Sequence, residues 1–296
     1  MKNKSLKDKV AVLFERYSAV ARKNGAALYE IAMAEIPESV YNSNAIENST
    51  LSFEDTEDIL IRDEIKRNHD VREIYEAKNL AKITGILFEL SEKRPVKPLS
   101  ADMMLHYHKI LLTGINDGAA GRFRSGKEWV RIGTRIGANP AFTNELVAEL
   151  VDVYNADKKR DLVEKIASFH AEFETIHPFV DGNGRIGRVI INKQLIDQGY
   201  PPIIIPNKSK RKEYYPLFDA YVMNNDAGGF TRFFSLLLLE SMHKRLALIS
   251  AKKIVTVNQW AKTNDLNLNS ALNKAKNQTI PAFRLRGKWM IDAAWE

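Results

Sequence analysis

The sequence predicts a mainly α-helical protein that carries one short β-hairpin and a small C-terminal domain of mixed structure. Three observations support this prediction. Apolar residues recur at intervals of three and four through most of the first 250 residues, which is the spacing of amphipathic helices. The segment 114–140 interrupts this spacing with closely placed glycines. After residue 250, two short helical patches are followed by a strand, a turn and a strand.

The composition is that of a globular protein with a real core. Of the 296 residues, 45% are hydrophobic and 27% are charged. The chain has no cysteine, which excludes disulfides, thiolate metal sites and a cysteine nucleophile. The N-terminus lacks the apolar core of a signal peptide, and no apolar run approaches the roughly 20 residues that span a bilayer, so we expect a cytoplasmic protein without membrane contact. The net charge of +7 permits an acidic partner without requiring one.

The helical spacing divides the chain into regions. Residues 6–36 and 55–93 show it clearly, and we assign residues 1–95 to an N-terminal helical region. Two prolines follow, and then Ser100, whose side chain suits the N-cap of the next helix. A core domain is assigned to residues 96–249.

The core domain should consist of helices around one hairpin. Residues 121–137, GRFRSGKEWVRIGTRIG, contain β-prone pieces separated by turn residues, which predicts a short hairpin or flap. Gly199, followed by Pro201 and Pro202, marks the end of a helix. Helical periodicity returns after the hairpin in the segments 144–155, 161–176, 188–199, 211–226 and 228–250.

Residues 177–188, HPFVDGNGRIGR, concentrate chemical groups in a short stretch. Pro178 disfavours helical geometry at the residue before it, so we expect one helix to end near Ile176 and another to begin at Gly184 or Arg185. A glycine-rich loop that leads into a helix N-terminus binds anions through free amides and the helix dipole. Arg185 and Arg188 share one helix face and can reach over such a site, so the stretch predicts a polyphosphate site.

Two further side chains in this stretch indicate the reaction. A carboxylate beside phosphates requires a cation between them, so Asp181 predicts a Mg²⁺ site. His177, at the loop entrance, is placed to take a proton from an incoming hydroxyl. A base, a metal-holding carboxylate and a phosphate site together favour phosphoryl or nucleotidyl transfer to a protein hydroxyl.

The stretch 177–188 resembles the Fic family signature, His-Pro-Phe-x-(Asp/Glu)-Gly-Asn-Gly-Arg-x-x-Arg, at every fixed position. The resemblance implies a Fic-type helical core that transfers AMP from ATP to a Ser, Thr or Tyr hydroxyl of a target protein. It implies that His177 is the general base, that Phe179 anchors the loop, that Asp181 holds Mg²⁺ and that Arg188 binds the γ-phosphate. The related Doc kinases lack the Gly-Asn-Gly-Arg arrangement, which favours nucleotidyl transfer. The implied phosphate-binding residues are Gly182, Asn183, Gly184 and Arg185.

Other segments resemble further parts of the family. Residues 121–133 resemble the flap, onto which a target backbone adds as a strand, so we expect target docking on the 121–137 segment. EYYPLF resembles an aromatic segment near the adenosine, which makes Tyr214 and Tyr215 candidate nucleotide contacts. Asn192 follows Arg188 by one turn and is a further candidate.

Residues 43–49, SNAIENS, resemble the family's inhibitory motif, (Ser/Thr)-x-x-x-Glu-(Gly/Asn), through Ser43, Glu47 and Asn48. A Glu47 carboxylate paired with Arg188 would take the charge that should receive the γ-phosphate. ATP would then bind with its α-phosphate misplaced for in-line attack. In some relatives this glutamate also positions a water that removes AMP, so de-AMPylation is left open.

The C-terminal region, 250–296, resembles the small winged helix-turn-helix of excisionase-like and MerR-like proteins. Its residues 251–296 carry eight basic and three acidic side chains, a net charge of +5, with Arg286-Gly287 at the turn between strands. DNA binding and protein docking or intramolecular packing are both left open. The side chains suited to phosphate contact are Lys274, Lys276, Arg284, Arg286 and Lys288.

These observations predict an auto-inhibited protein adenylyltransferase that uses ATP and Mg²⁺. Two alternatives stay open at this point. The signature contacts phosphates and not the base, so the donor could be UTP, GTP or another pyrophosphate-linked compound. The chain could instead be a DNA-binding regulator with a nucleotide-sensing core, although sensing does not need an intact His177. The target protein is not identified by the sequence, and a homodimer is left open.

Overall fold

The computed structural model of the chain describes residues 5–93 and 98–295. Helices dominate these residues and two small antiparallel sheets accompany them, which confirms the mainly α prediction. The described residues cluster into two compact units. One comprises residues 5–34, 199–203 and 232–295, and the other comprises residues 35–93, 98–198 and 204–231. The predicted boundary at residue 95 lies outside the described residues, and the three-part division stays a prediction.

The larger unit is organised around one buried helix. Helix α9 is buried on most of its circumference, and the helices α3, α5, α6 and α8, whose bounds are given below, pack against it. Its bounds are Asn183–Asp197, with Gly182 as its N-cap, one or two residues earlier than expected. The other helices of this unit are α3 Ile36–Ile46, α4 Phe53–Glu57, α5 Val71–Lys93, α6 Ala101–Leu112, α7 Thr143–Ala156, α8 Leu162–Ile176 and α10 Tyr215–Asn224.

Local sequence signals explain several of these helix ends. The Ser100 side chain accepts a hydrogen bond from the Met103 N–H at 3.2 Å, which confirms the predicted N-cap of α6. Helix α8 ends at Ile176, as expected from Pro178. Gly199 has a φ of +76°, a conformation that follows the end of α9 and favours glycine.

The prediction of continuous helical structure over residues 55–93 is wrong in its middle. Helix α4 passes into a π-helical turn at Asp58–Arg62, and residues 63–70 are not helical before α5 begins. Asp63 adopts the left-handed conformation, with a φ of +53°. Nearly all the side chains in 63–70 are exposed, so no apolar face holds a helix against the core.

The predicted hairpin is present but shorter than expected. Its strands are β1 Arg131–Ile132 and β2 Arg135–Ile136, which pair antiparallel across a two-residue turn. The preceding residues 121–130 form turns instead of strands. The Arg122 guanidinium donates to both oxygens of the Glu128 carboxylate, at 2.8 and 2.6 Å, and this closes a compact loop.

The smaller unit begins with α1 Leu6–Ala21 and α2 Gly25–Ala34, so the helical segment 6–36 is interrupted near Asn24. It also contains α12 Val257–Thr263 and α13 Leu268–Lys276. Its three-stranded antiparallel sheet has the order β3-β5-β4. These strands are Ile254–Thr256, Phe283–Leu285 (β4) and Lys288–Asp292 (β5). Helix α11, Gly228–Ser250, has residues in both units.

The C-terminal sheet agrees in part with the predicted strand, turn and strand. Arg286 and Gly287 form the turn with φ values of +50° and +75°, the positive values that a two-residue type I′ hairpin needs. The strand β3 was not predicted. The guanidinium of Arg284 contacts the Glu240 carboxylate at 2.5 Å and is therefore already paired with a charge. The winged-helix assignment stays a prediction. Among the described residues, no helix combines the length and the apolar character that crossing a bilayer requires.

Candidate active site

His177 is the first residue after α8 and has an uncommon backbone conformation. Its φ of +52° and ψ of 63° lie in the left-handed region, which residues with a side chain rarely adopt. Its N–H still donates to the Phe173 carbonyl at 2.9 Å, and Pro178 then prevents the helix from continuing. The side chain is 20% exposed. The ring therefore stands partly open to solvent at the beginning of the loop.

Arg124 holds this helix end in place, although it is 1% exposed. Its Nε donates to the His177 carbonyl at 2.7 Å, and its Nη2 donates to the carbonyls of Ile176 at 2.8 Å and Ala138 at 2.5 Å. Its own N–H donates to the Pro178 carbonyl at 2.9 Å. Burial lowers the pKa of the Arg124 guanidinium from its usual value. One buried cation thus joins the hairpin segment to the end of α8.

The hairpin segment passes directly beside His177. A Cβ atom at Gly137 would lie 3.3 Å from the His177 Cβ and 3.0 Å from the Arg124 Nη2. Such contacts leave little room for a side chain at this position. The predicted flap and the predicted base are therefore neighbours.

The loop after His177 is fixed from beneath by Phe179 and Asn183. Phe179 is fully buried, which confirms its predicted role as an anchor. The Phe179 N–H donates to Asn183 Oδ1 at 2.8 Å, and Asn183 Nδ2 donates to the Phe179 carbonyl at 2.8 Å. The Asn183 side chain therefore serves the loop itself, and its backbone is the part that remains available to a ligand.

His108, on α6, supports the same loop in its neutral form. Its ring stacks on Phe179 with 3.7 Å between ring centroids. Its Nδ1 accepts a hydrogen bond from the Gly121 N–H at 3.2 Å, so Nε2 carries the proton and donates to the Asp181 carbonyl at 3.0 Å. Burial lowers the pKa of His108 to about 4. Only the neutral ring can accept at Nδ1 while it donates at Nε2.

Two glycines of the loop are needed for different reasons. Gly182 has a φ of +81°, and a Cβ atom there would lie 2.8 Å from the Leu111 side chain. Gly184 lies in the first turn of α9, where a Cβ atom would overlap the Glu47 carboxylate and lie 3.0 Å from Arg188 Nη1. The N-cap residue, Gly182, has no side chain that could cap the first amides of α9 at the positive end of the helix.

The Asp181 carboxylate is shared between two arginines. Arg185 Nη2 donates to Oδ1 at 3.0 Å, and Arg72 on α5 donates to Oδ2. Glu76, one turn after Arg72, pairs with both arginines at 3.0 and 2.8 Å. Burial would raise the pKa of Asp181, but the two guanidinium groups hold it below its usual value. The carboxylate is therefore charged at neutral pH.

Arg185 has binding capacity left over. Its side chain is 3% exposed. Although the Glu76 carboxylate lies at ion-pair distance, the Nε and Nη1 of Arg185 meet no acceptor in hydrogen-bond geometry among the described residues. Buried donors without acceptors are unfavourable. An anion at the start of α9 would satisfy them.

Arg188 is bound to the end of α3. Its Nη2 donates to Glu47 Oε1 at 2.8 Å and to the Ser43 carbonyl at 3.0 Å, and its Nε donates to the Ser43 hydroxyl at 2.9 Å. Burial alone would lower the pKa of Arg188, but the Glu47 carboxylate raises it above its usual value. Ser43 and Glu47 are four residues apart, so both project from the same face of α3.

Asn48 occupies the position after Glu47, where the inhibitory motif has Gly or Asn, and its backbone conformation accounts for that choice. Glu47 caps α3, and Asn48 has a φ of +70°, the left-handed conformation that Gly and Asn tolerate best. The Ser49 N–H donates back to the Asn44 carbonyl at 3.0 Å, which closes the helix end. Lys210 Nζ donates to Asn48 Oδ1 at 2.7 Å. This termination directs the Glu47 side chain towards Arg188.

Comparison with known proteins agrees with this geometry. Residues 98–195, which include the whole loop, match the model of the Fic/DOC family. The chain therefore carries a Fic/DOC family domain over these residues.

Similarity to relatives and solved structures extends beyond the matched residues. The protein adenylyltransferase fic-1 of Caenorhabditis elegans is 30% identical over 178 residues, which cover 60% of this chain and 34% of the relative. A Fic-domain-containing signaling protein from Bacteroides thetaiotaomicron has a similar fold, with a TM-score of 0.70, 24% identity, and coverage of 81% of this chain and 96% of that one. A Fic family protein from Desulfovibrio desulfuricans aligns at a TM-score of 0.65 and 20% identity over 98% of this chain and 95% of its own. The chain spans about a third of the length of the curated nematode relative that it matches.

The two tyrosines that were predicted to contact the nucleotide differ in burial. Tyr214 is 1% exposed, and its hydroxyl lies 2.6 Å from His170 Nε2. Tyr215 is 39% exposed, and its hydroxyl donates to the Ile46 carbonyl at 3.2 Å. Burial raises the pKa of Tyr215 to about 12. Asn192 is half-buried on α9, one turn after Arg188. The roles of Tyr214, Tyr215 and Asn192 towards a nucleotide stay predictions.

Sequence reasoning missed several residues that organise the Fic loop. The Arg72/Glu76 pair has the i,i+4 spacing of an ordinary solvated helix pair, and His108 has no local signal at all. Arg124 lay within the GRFR segment, but nothing local distinguishes a buried arginine from an exposed one. Glu174, one turn before His177, was also missed. Among the described residues, no group of three or more His, Cys, Asp or Glu side chains could hold a metal ion.

Proposed function

We propose that this chain is an auto-inhibited protein adenylyltransferase that transfers AMP from ATP to a hydroxyl side chain of a target protein. The proposal is supported by the intact Fic loop and by relatives that are named protein adenylyltransferases. The observation that carries it is the buried Arg185 at the N-terminus of α9, whose Nε has no acceptor among the described residues and whose Nη1 faces the Glu76 carboxylate at ion-pair distance without a hydrogen bond. A site of this kind binds phosphate oxygens through the guanidinium and the helix amides.

His177 is proposed as the general base. Its ring takes the proton of the target hydroxyl, whose oxygen forms a bond to the α-phosphorus of ATP. The bond from that phosphorus to the oxygen of the departing pyrophosphate breaks at the same time. Arg185, Arg188 and the α9 amides, from Gly182, Asn183 and Gly184, stabilise the negative charge on the phosphates.

Asp181 is the residue that would hold Mg²⁺. Mg²⁺ in nucleotide sites is commonly bound through one or two carboxylates together with substrate phosphates and water. A single charged carboxylate beside the phosphate site fits this pattern. When bound, the ion neutralises part of the charge on the phosphates.

Glu47 and Ser43 are proposed to form the brake. Together they occupy the donors of Arg188 that would otherwise bind the γ-phosphate. Arg188 becomes available to the γ-phosphate only when Glu47 moves away. Until then, ATP binds with its α-phosphate misplaced for in-line attack. A second role of Glu47 in removing AMP stays a prediction.

The hairpin is proposed as the docking surface for the target. Ile136 on β2 is 65% exposed, and Trp129 just before β1 is 56% exposed. A target segment can add to β2 by main-chain hydrogen bonds beside His177. Contacts of residues 250–296 with DNA or with another protein, a homodimer and a donor other than ATP stay predictions.

Intact-mass spectrometry tests the proposal on three forms of the full chain incubated with ATP and Mg²⁺. The forms are the parent, Glu47→Gly, and Glu47→Gly combined with His177→Ala. We expect an added AMP on the single variant alone. The incubation is repeated with other nucleotides, and with cell lysate as a source of target proteins. The proposal would be contradicted if no adduct forms under any of these conditions, either on the three forms or on a protein of the lysate.

A further inference from the structure

Glu174 is a buried acidic residue that the proposed reaction does not yet use. It lies on α8 one turn before His177, and it is 8% exposed. Its carboxylate Oε2 lies 3.5 Å from His177 Nδ1, and its own backbone carbonyl lies 3.3 Å from the same nitrogen. Both acceptors that face Nδ1 therefore belong to Glu174.

This arrangement selects the tautomer of the ring. A nitrogen that faces a carboxylate and a carbonyl oxygen carries the proton, because both neighbours only accept hydrogen bonds. The proton on Nδ1 leaves the lone pair on Nε2, at the other side of the ring. A general base needs this free lone pair to take the proton of a hydroxyl.

Gly187 provides the space for the Glu174 carboxylate. A Cβ atom at Gly187 would overlap Glu174 Oε1 and would lie 3.1 Å from the ring of His170. The absence of a side chain at Gly187 therefore complements the glutamate on α8. The missing side chain at Gly187 also lets α9 approach α8 closely at this point.

The surroundings keep Glu174 charged. Burial would raise the pKa of the Glu174 carboxyl, but the contact with His177 and the neighbouring charge of Arg188 hold it below its usual value. The Tyr214 hydroxyl also faces this group from the segment before α10. Glu174 Oε1 accepts no hydrogen bond from the described residues. A buried charge with an unpaired oxygen is unfavourable for stability, so a role in folding alone does not account for this glutamate.

We propose that Glu174 is a positioning residue that orients the His177 ring and stabilises its charged form. The proposal rests on the proposed function. When Nε2 takes the proton of the target hydroxyl, the imidazolium keeps its Nδ1 proton and gains a positive charge beside the buried carboxylate. Glu174 itself exchanges no proton, as in other carboxylate–histidine pairs.

The first test measures AMP addition as a function of pH in the Glu47→Gly background. We expect Glu174→Gln to lower the rate roughly tenfold or more. We also expect the acidic limb of the pH–rate profile to move to lower pH by about one unit or more, because the carboxylate no longer favours the charged ring. Glu172→Gln is the matched control, since Glu172 lies on the same helix but contacts the Tyr221 hydroxyl at 2.7 Å. A lower rate with an unmoved limb would overturn the proposal.

The second test does not depend on activity. The ring of His177 is followed by NMR against pH in the full chain and is assigned by its absence from His177→Ala. In Glu174→Gln, the ring should gain its proton at a pH lower by about one unit or more than in the parent. Glu174→Asp, which withdraws the carboxylate by one methylene, should give a smaller shift and serves if the glutamine variant does not fold.

The outcomes separate the two proposals. Identical titrations in the parent and in the Glu174 variants would overturn the positioning role, whether or not the chain transfers AMP. The outcome could instead be the expected shift of the His177 titration in Glu174→Gln together with no AMP adduct on Glu47→Gly. This outcome would contradict the adenylyltransferase function and would support the Glu174–His177 pairing.

Discussion

The Glu47 carboxylate lies 2.8 Å from Arg188 Nη2, across 141 positions of the sequence. The same guanidinium also binds the hydroxyl and the carbonyl of Ser43, so it is held by α3 through three hydrogen bonds. Glu47 itself stands at the C-terminus of α3, where the helix dipole disfavours a carboxylate. The ion pair with Arg188 offsets this effect and makes the position of Glu47 dependent on Arg188.

Removing the Glu47 carboxylate should release transfer activity. We expect Glu47→Gly to raise the rate of AMP addition roughly 10- to 100-fold, the scale on which correct placement of reacting groups acts. Glu38→Gly, in the first turn of the same helix, is the control for a glycine introduced into α3. Equal rates in Glu47→Gly and the parent, measured by intact mass, would refute the brake.

Asn48 should tolerate glycine but not a larger residue. Its φ of +70° favours Gly, so Asn48→Gly should keep the brake closed and change the melting temperature little. Asn48→Val should destabilise the chain by about 1–2 kcal/mol and raise the basal rate, because a β-branched residue resists this conformation. Thermal unfolding and the AMP-addition assay are measured together. A Val variant with parental values in both would contradict the structural reason given for this position.

Arg124 should be needed for the stability of the fold. Its guanidinium is buried and donates to four carbonyls, so Arg124→Ala removes a hydrogen-bond donor from each of these acceptors. We expect a loss of about 3–5 kcal/mol in the free energy of unfolding, measured with urea. Arg124→Lys should recover only part of it, because an ammonium group cannot reach the same acceptors in one plane. Arg122→Ala, which removes an exposed pair, should cost below about 1 kcal/mol.

Two buried histidines should make stability fall in mild acid. Burial lowers the pKa of His108 and of His170 to about 4 in the folded chain. The unfolded chain takes up these protons near pH 6.5, so it binds more protons than the folded chain between about pH 6.5 and 4. The stability contribution is therefore complete above pH 6.5 and is lost as the pH falls towards 4.

The size of this effect can be checked by urea unfolding at several pH values. Each histidine should account for roughly 3 kcal/mol of the loss by pH 4. His108→Asn should reduce the slope of stability against pH in this window, even if it lowers stability at pH 7.5. His106→Asn, at an exposed position on the same helix, should leave the slope unchanged. Parallel slopes in His108→Asn and the parent would contradict the assignment of a neutral buried ring.

Much of the fold could be predicted because its signals are local. The end of α8 at Ile176 follows from Pro178, the start of α6 follows from the Ser100 cap, and the end of α9 follows from Gly199. The stretch 63–70 was predicted wrongly, since its helical spacing has no apolar surface to pack against. Spacing alone cannot reveal whether a partner surface exists.

The site was predictable to the extent that its residues are close in the sequence. The loop from His177 to Arg188 brings a histidine, a carboxylate and two arginines together through a short chain with fixed turns. Arg124 and His108 were not predicted, because their importance depends on burial against segments far away in the sequence.

The sequence by itself determined the loop, its chemistry and the helix ends around it, because proline, glycine and helix caps act on the residues next to them. Only the tertiary structure decided which distant groups meet the loop: Glu47 at Arg188, Arg72 at Asp181 and Arg124 beneath His177. These contacts depend on how α3, α5 and the hairpin segment pack around α8 and α9. Packing also sets which of the charges are removed from water, and this fixes their strength.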